Sequence, residues 1–208
     1  MSPVKKQNLL LIVLIIFYTV GLIGLNTSFR FYFLGLTPFN LLLSFGCLYL
    51  SFKDYSLKKH IDILLIGAAG YLIEWIGVHT ALLFGHYEYG SVLGYKVDGI
   101  PLIISLNWVL LTFTATAIVH KWKIPVILKA LIAGALMTGL DWIIEPVAIR
   151  SGYWFWEFKT IPPYNYGCWM IFSSLFSYWV LSRKTVETNK VTVGLFAILV
   201  IFFAILNR

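Results

Sequence analysis

Seven long apolar segments constrain this chain more than any other feature of its sequence. They lie at about residues 8–25, 34–52, 61–83, 101–119, 126–147, 165–182 and 191–206. A helix needs about 20 mostly apolar residues to cross the hydrocarbon core of a bilayer. The 208 residues are 60% hydrophobic and only 12% charged, which is about half the charged fraction of soluble domains. We therefore predict an all-α polytopic membrane protein whose seven transmembrane helices form one transmembrane domain, residues 1–208.

The distribution of lysine and arginine predicts the orientation of these spans. Eleven of the 16 basic residues fall on one side of the predicted bilayer and five on the other. Because basic loops stay in the cytoplasm, we expect the N-terminus to be cytoplasmic. The net charge of +7 comes from short clusters between apolar runs, so it does not indicate nucleic-acid binding. Cys47 and Cys168 lie within apolar stretches, which favours packed thiols over a disulfide framework or a metal site.

The third and fourth spans share a pattern with the fifth and sixth. When the chain is shifted by 67 residues, the acid–tryptophan pair at 74–75 falls on the pair at 141–142. The same shift places the aromatic cluster at 86–89 on the cluster at 153–156. Because the two units run in the same directions through the membrane, they predict a parallel repeat about an axis near the membrane normal.

Three acidic residues inside the predicted spans are candidates for catalysis. Glu74 lies near the middle of the third span, where a charged group costs about 2.5–3.5 kcal/mol to insert. Asp141 and Glu145 are four residues apart, so they share one face of the fifth span. Two carboxyls this close in a low dielectric cannot both ionise cheaply, so one could hold a proton and the other accept one. Structural alternatives stay open: Glu74 could bond a neighbouring helix, and the pair could bind Arg150 or cap a helix end.

Two short aromatic loops follow the third and fifth spans. Their rings alternate, Tyr87 with Tyr89 and Trp154 with Trp156, which would direct them to one face of an extended or re-entrant segment. An aromatic face stabilises a nearby cation by about 0.5–2 kcal/mol, so rings beside buried acids suit chemistry through a carbocation. Aromatic anchoring at the membrane interface is the alternative.

The remaining motifs point to chemistry without a cofactor. His79 lies one turn beyond Trp75, where it favours an orienting hydrogen bond beside a carboxyl. His79, His86 and the outer acids could form a metal site, but no spacing matches a zinc or iron motif, so no metal is predicted. The sequence also contains no phosphate loop, dinucleotide fingerprint or nucleophile elbow. We expect side chains, water and a lipid-soluble partner to be sufficient.

An ordered set of short motifs between about residues 66 and 175 resembles one protein family. The motifs are Glu74-Trp75-x-Gly77, Gly85-x-Tyr87-x-Tyr89, Gly99-Ile100-Pro101 with Trp108, Asp141-x-x-x-Glu145-Pro146, Trp154-x-Trp156 and Asn165-Tyr166-Gly167-x-Trp169. Together they resemble the CruF-type carotenoid biosynthesis membrane family, whose members hydrate the 1,2 double bond of an acyclic carotenoid end group. Spans 1, 2 and 7 carry no motif of this set.

The resemblance implies a cofactor-independent hydro-lyase, a carotenoid 1,2-hydratase, in a bacterial inner membrane. Its partners would be a lipid-soluble carotenoid, water and membrane lipids, together with other enzymes of the carotenoid pathway. Asp141 or Glu145 would protonate the alkene, and Glu74 would orient the water with help from His79 or Asn165. The expected substrate-binding residues are Trp75, His79, Tyr87, Tyr89, Trp108, Trp142, Trp154, Trp156, Asn165 and Trp169.

Two alternative functions stay open at this point. A membrane carotenoid or lycopene cyclase would begin with the same protonation and let a neighbouring alkene capture the cation. A proton-coupled transporter would use the buried acids of paired repeats as a relay. It would need a polar path to the inner side, for which Asp62 and the residues 112–116 are the candidates.

Overall fold

The computed structural model describes residues 2–208, and this part of the chain is predominantly helical. Its eight helices are α1 (Pro3–Leu25), α2 (Arg30–Gly35), α3 (Thr37–Ser51), α4 (Leu57–Thr80), α5 (Ile103–Val119), α6 (Val126–Ser151), α7 (Pro163–Ser182) and α8 (Lys190–Leu206). Its four short strands are β1 (Tyr87–Tyr89), β2 (Lys96–Val97), β3 (Ile100–Pro101) and β4 (Trp154–Trp156). The all-α prediction is confirmed for the body of the fold, and the strands are additions in the loops.

Three of the helices, α1, α4 and α6, are long and apolar enough to cross a membrane. The helices α3, α5 and α8 are apolar but shorter, and α7 has 20 residues with a more polar composition. Each of the seven predicted segments coincides with one of the helices α1 and α3–α8. The structure thus agrees with a membrane protein, while the number of seven spans stays a prediction.

The central helix of the bundle is α5, which packs against α3, α4, α6, α7 and α8. Every residue from Trp108 to Ala117 is buried, whichever side of the helix it occupies. A helix that is apolar around its whole circumference is either enclosed by other elements or spans a membrane, and α5 is enclosed by its neighbouring helices. On α1, by contrast, Ile12 and Ile23 are more than half exposed, as expected for side chains in contact with lipid.

Helices α6 and α7 approach each other closely at Gly134. A Cβ atom at this position would lie 3.0 Å from the backbone nitrogen of Ser174 and closer still to its hydroxyl. Small residues allow such approaches between helix backbones, which strengthens packing where the hydrophobic effect between helices is weak. This contact fixes the distance between the helix that carries Asp141 and the helix that carries Asn165.

The two aromatic loops are extended and pair with each other as β1 and β4. The pairing is antiparallel, with Tyr87 opposite Trp156 and Tyr89 opposite Trp154. Their central residues, Glu88 and Phe155, are opposite each other and exposed. A two-fold axis between the strands would generate this register from two equivalent loops. The repeat itself stays a prediction.

The end of the bundle that we expect to face the cytoplasm is held by buried polar contacts. Asp62 of α4 is fully buried and accepts hydrogen bonds from Arg183 Nε at 2.6 Å, Thr185 Oγ1 at 2.6 Å and Trp179 Nε1 at 3.0 Å. These donors bond to both carboxylate oxygens of Asp62, which the sequence analysis named as a candidate for a transport path. Asp62 therefore joins α4 to the end of α7.

Lys59 and Glu187 form a second ion pair at the same end of the bundle as the Asp62–Arg183 pair. The ammonium group of Lys59, which is almost fully buried, bonds to Glu187 in the α7–α8 loop and lies 4.3 Å from the centre of the Phe52 ring. The backbone nitrogens of Lys53 and Asp54 also donate to Glu187, at 2.9 and 3.1 Å. These contacts join the start of α4 to the loop before it and to the loop between α7 and α8.

Candidate active site

A small cavity of about 40 Å³ lies between the helices α4–α7 and the β1–β4 pair. All three predicted catalytic acids, Glu74, Asp141 and Glu145, line it. The rest of its lining consists of Phe84, Tyr87, Tyr89, Ile104, Asn107, Trp154, Trp156, Asn165 and Trp169. This cavity is called the acid chamber. About 10–15 Å³ is enough for one water molecule, so the acid chamber has room for water.

Glu74 is held by three hydrogen-bond donors. Its Oε2 accepts from the hydroxyls of Tyr87 at 2.5 Å and Tyr89 at 2.8 Å, and its Oε1 accepts from Trp108 Nε1 at 3.0 Å. Hydrogen bonds donated to a carboxylate favour its ionised form. Both oxygens of Glu74 are therefore engaged, and Glu74 in turn fixes the two tyrosine hydroxyls of β1.

Glycines on either side of Glu74 make these contacts possible. A Cβ atom at Gly70, one turn before Glu74, would lie 2.5 Å from Cγ of Trp108. A Cβ atom at Gly77 would lie 2.9 Å from the hydroxyl oxygen of Tyr87. Since real Cβ atoms do not approach other atoms so closely, glycine at both positions lets the indole and the phenol reach the carboxylate.

Glu145 is oriented by the other strand of the pair. The indole nitrogens of Trp154 and Trp156 both donate to its Oε2, each at 3.0 Å. Alternation along β4 places these two side chains on the same face, while Phe155 between them is exposed. Within residues 2–208, no hydrogen bond reaches the other oxygen of Glu145, Oε1. That oxygen is free to interact with a bound molecule.

Asp141 has the weakest hydrogen bonding of the three acids. It is 2% exposed, and within residues 2–208 its one hydrogen bond is from Asn165 Nδ2 to Oδ2, at a long 3.4 Å. A buried carboxyl with few donors is costly to ionise. Asp141 is thus better suited to hold a proton than Glu74 or Glu145. The ion pair with Arg150 that the sequence left open is not formed, because Arg150 donates to the carbonyl of Leu206 at 2.6 Å.

Four residues that we expected to bind substrate do not line the acid chamber. Trp108 is buried behind it, where it donates to Glu74 and stacks on Trp169. The other three are directed outward. Trp142 is 67% exposed, Trp75 is 36% exposed, and the side chain of His79 is 34% exposed. Adjacent residues on a helix point about 100° apart. With Glu74 and Asp141 directed inward, the tryptophan that follows each acid is directed outward. His79 shares the outward face because it lies four residues after Trp75.

Trp75 and His79 form a contact of their own with the β2–β3 turn. The Trp75 indole donates to Asp98 at 2.5 Å and stacks on His79, with ring centres 4.6 Å apart. The Trp75 hydrogen bond holds the pKa of Asp98 below its usual range, and His79 lies 3.4 Å from the same carboxylate. These residues thus attach the hairpin to the outer end of α4.

Three chamber residues were missed by the sequence analysis: Phe84, Ile104 and Asn107. Asn107 carried a usable signal, because it is a polar residue in an apolar helix and precedes the motif residue Trp108. Phe84 and Ile104 carried none that distinguishes them from other apolar residues. Within residues 2–208, no three His, Cys, Asp or Glu side chains are grouped so that they could hold a metal ion.

The fold and this chamber define a class: a helical membrane protein that encloses three carboxyl groups among aromatic rings. The chain belongs to the carotenoid biosynthesis protein family, which it matches over residues 37–207. Membership indicates a role in carotenoid biosynthesis, and the match includes every residue of the acid chamber. No match was found among the curated proteins or among the solved structures.

Proposed function

We propose that this protein is a CruF-type carotenoid 1,2-hydratase, which adds water to the terminal double bond of an acyclic carotenoid such as lycopene. The observation that carries the proposal is the grouping of Glu74, Asp141 and Glu145 around one small aromatic cavity. We place the enzyme in a bacterial inner membrane with seven spans and a cytoplasmic N-terminus. Its family and its apolar helices support this assignment.

The reaction begins with transfer of the proton of Asp141 to C2 of the terminal alkene. The electron pair of the double bond forms the new C2–H bond, and C1 becomes a tertiary carbocation. Asp141 is assigned as the donor because its single long hydrogen bond leaves its ionised form poorly stabilised. Placement of an acid beside the alkene supplies the general acid catalysis that the step needs.

Aromatic rings and fixed carboxylates stabilise the cation. Tyr87, Trp154 and Trp169 all line the acid chamber, and each electron-rich ring face attracts a cation by about 0.5–2 kcal/mol. The carboxylate of Glu145 adds negative charge to the same cavity. Because donors from β4 hold Glu145 in place before the reaction, this stabilisation requires no reorganisation.

Water in the chamber then completes the addition. Its oxygen bonds to C1, and one of its protons passes to Glu145, whose Oε1 accepts no hydrogen bond from the described residues 2–208. Return of that proton to Asp141, four residues away on the same helix face, restores the starting state. Glu74 acts indirectly, because its bonds position the hydroxyls of Tyr87 and Tyr89 that hold the water. The sum of these steps is alkene plus water giving a tertiary alcohol.

Expression in a host that accumulates lycopene tests the proposal. The extracted pigment should be heavier by one water molecule for the wild type, and unchanged for Asp141→Asn and Glu145→Gln. Glu88→Gln is the matched control, since Glu88 is exposed on the outer face of β1. Full hydration by both chamber variants would contradict the acid–base scheme. A pigment of altered absorption but unchanged mass would indicate the cyclase alternative instead.

A further inference from the structure

A larger cavity of about 150 Å³ adjoins the acid chamber. Its lining comes mainly from apolar side chains of α1, α3, α5, α6 and α8. Five residues line both cavities: Ile104, Asn107, Asp141, Trp154 and Trp169. Asp141, the proposed proton donor, therefore stands at the junction of the two spaces.

The other end of this cavity reaches the lipid-facing surface between α1 and α3. Phe17 and Val20 of α1 and Phe39 of α3 line it, and they are 39%, 49% and 53% exposed. The rings of Phe17 and Phe39, whose centres are 6.1 Å apart, pack against each other at this opening. An apolar passage thus runs from the surface that contacts lipid to the carboxyl group of Asp141.

We infer that this passage admits the hydrocarbon chain of the substrate sideways from the bilayer, between α1 and α3, and holds its end group against Asp141. The nature of the chain rests on the proposed function. A cavity of about 150 Å³ lined by apolar side chains can hold a molecule of the size of benzene. It therefore holds about one isoprenoid unit, while the remaining polyene extends through the opening into the lipid.

The passage is formed mainly by helices that carry none of the family motifs. The helices α1, α3 and α8 bear no chemical group of the acid chamber, yet they form most of the passage. An uncharged polyene partitions into the bilayer core, because removal of its apolar surface from water is favourable. An apolar entrance at membrane depth suits this substrate better than an entrance through the polar loops.

Gly21 offers a way to fill the passage. It lies on α1 in the cavity lining, and an added Cβ would meet only Phe202 Cε2, at an ordinary 3.7 Å. A leucine there would project into the cavity. Gly46 on α3 is the matched control, because it is also half-buried, has open space around its Cβ position, and lines neither of the two cavities.

The experiment compares Gly21→Leu with Gly46→Leu in cells that make lycopene. We measure the carotenoid retained per mole of purified protein and the hydrated fraction of the extracted pigment. A side chain that fills the passage competes with the end group for the same space, and overpacking of this kind corresponds to about tenfold weaker retention. We expect that loss, with less hydration, for Gly21→Leu, and wild-type values for Gly46→Leu. Equal retention by the two variants would overturn the inference.

A second pair of variants tests the passage if Gly21→Leu does not fold. Val20→Trp adds bulk at the opening, on the lipid-facing side of α1, and Ile12→Trp adds the same bulk at a similarly exposed position away from the cavity. Only Val20→Trp should reduce pigment retention, and equal retention by this pair would also overturn the inference. Purification of wild-type protein with a lipid acyl chain but no pigment would contradict the proposed occupant.

Pigment retention and pigment hydration together distinguish failure of the proposed passage from failure of the proposed hydratase activity. If the wild type retains pigment that is never hydrated, and Gly21→Leu loses it, the passage stands and the hydratase proposal fails. If the wild type hydrates the pigment and both blocked variants do so equally well, the hydratase proposal stands and the passage fails.

Discussion

The indole rings of Trp108 and Trp169 stack face to face, with centres 4.4 Å apart and planes inclined by 15°. One ring comes from α5 and the other from α7, and Trp108 also donates its N–H to Glu74. Trp169 lines the acid chamber. The stack therefore joins two helices directly beside the carboxyl groups, so that the position of Glu74 depends on packing between them.

Replacement of each tryptophan in turn by phenylalanine separates the contribution of ring stacking from that of the Trp108–Glu74 hydrogen bond. Both variants lose one indole ring, at a cost of about 0.5–1.5 kcal/mol. Only Trp108→Phe also removes a hydrogen bond to buried Glu74, which costs about 1–3 kcal/mol more. We expect Trp108→Phe to have the lower free energy of unfolding, measured by denaturation in detergent micelles. Equal destabilisation would show that the Trp108–Glu74 bond contributes nothing.

Glu74→Gln tests the arrangement of donors around this residue. A carboxylate accepts from Tyr87, Tyr89 and Trp108 together, but an amide offers one acceptor oxygen and an NH2 group that can only donate. At least one buried donor then loses its partner, so stability should fall by about 1–3 kcal/mol, and the hydrated fraction of the pigment should fall with it. Glu88→Gln on the exposed side of β1 should change neither value. Unchanged hydration in Glu74→Gln would show that Glu74 does not position the reacting water.

The Lys59–Glu187 pair predicts how stability depends on pH. Partial burial raises the pKa of Glu187, but hydrogen bonds from Lys59 and from the backbone of Lys53 and Asp54 outweigh it, so the pKa lies below its ordinary value of 4.5. A depressed carboxyl pKa stabilises the fold above the unfolded-state value, and that contribution is lost as pH falls through the folded-state pKa.

Glu187→Gln should therefore lower the melting temperature most above pH 4.5, and its difference from the wild type should shrink in more acidic solution. Glu157→Gln is the control, because Glu157 is 59% exposed and its one ion-pair partner is the exposed His86. Thermal unfolding across an acid pH series measures both differences. A Glu187→Gln effect that grows towards low pH would contradict the sign of this prediction.

Asp62→Asn distinguishes a structural role for the inner cluster from a transport role. Removal of one partner of a buried ion pair costs about 3–5 kcal/mol, and solvent at the partly exposed Arg183 reduces this to about 2–3 kcal/mol. We expect a less stable protein whose folded fraction still hydrates pigment normally. A protein of normal stability that no longer hydrates pigment would contradict this interpretation and favour a relay through Asp62.

The sequence predicted the helices well because each apolar segment is long and has clear polar boundaries. It also identified the acids that meet in the chamber, since carboxyls within apolar spans have few alternatives to an interior position. The alternation of rings predicted that each aromatic loop directs its rings to one face, but the sequence did not predict that the two loops pair as strands.

Other features required the three-dimensional structure. The sequence analysis assigned Trp75 and Trp142 to the substrate site, whereas the structure directs both outward, because an aromatic residue next to an acid can face either lipid or the interior. It also gave no reason to assign a role to α1, since an apolar helix that lines a passage has the same composition as one that only contacts lipid. The junction at Asp141 depends on contacts between helices that are distant in the sequence.

The most direct test of the central claim is mass spectrometry of the carotenoid formed by membranes that contain this protein in water enriched in heavy oxygen. Acid-catalysed hydration predicts a tertiary alcohol whose oxygen carries the heavy isotope, with no such product from Asp141→Asn membranes. A product with no added oxygen, or with an oxygen atom of ordinary mass, would contradict the account.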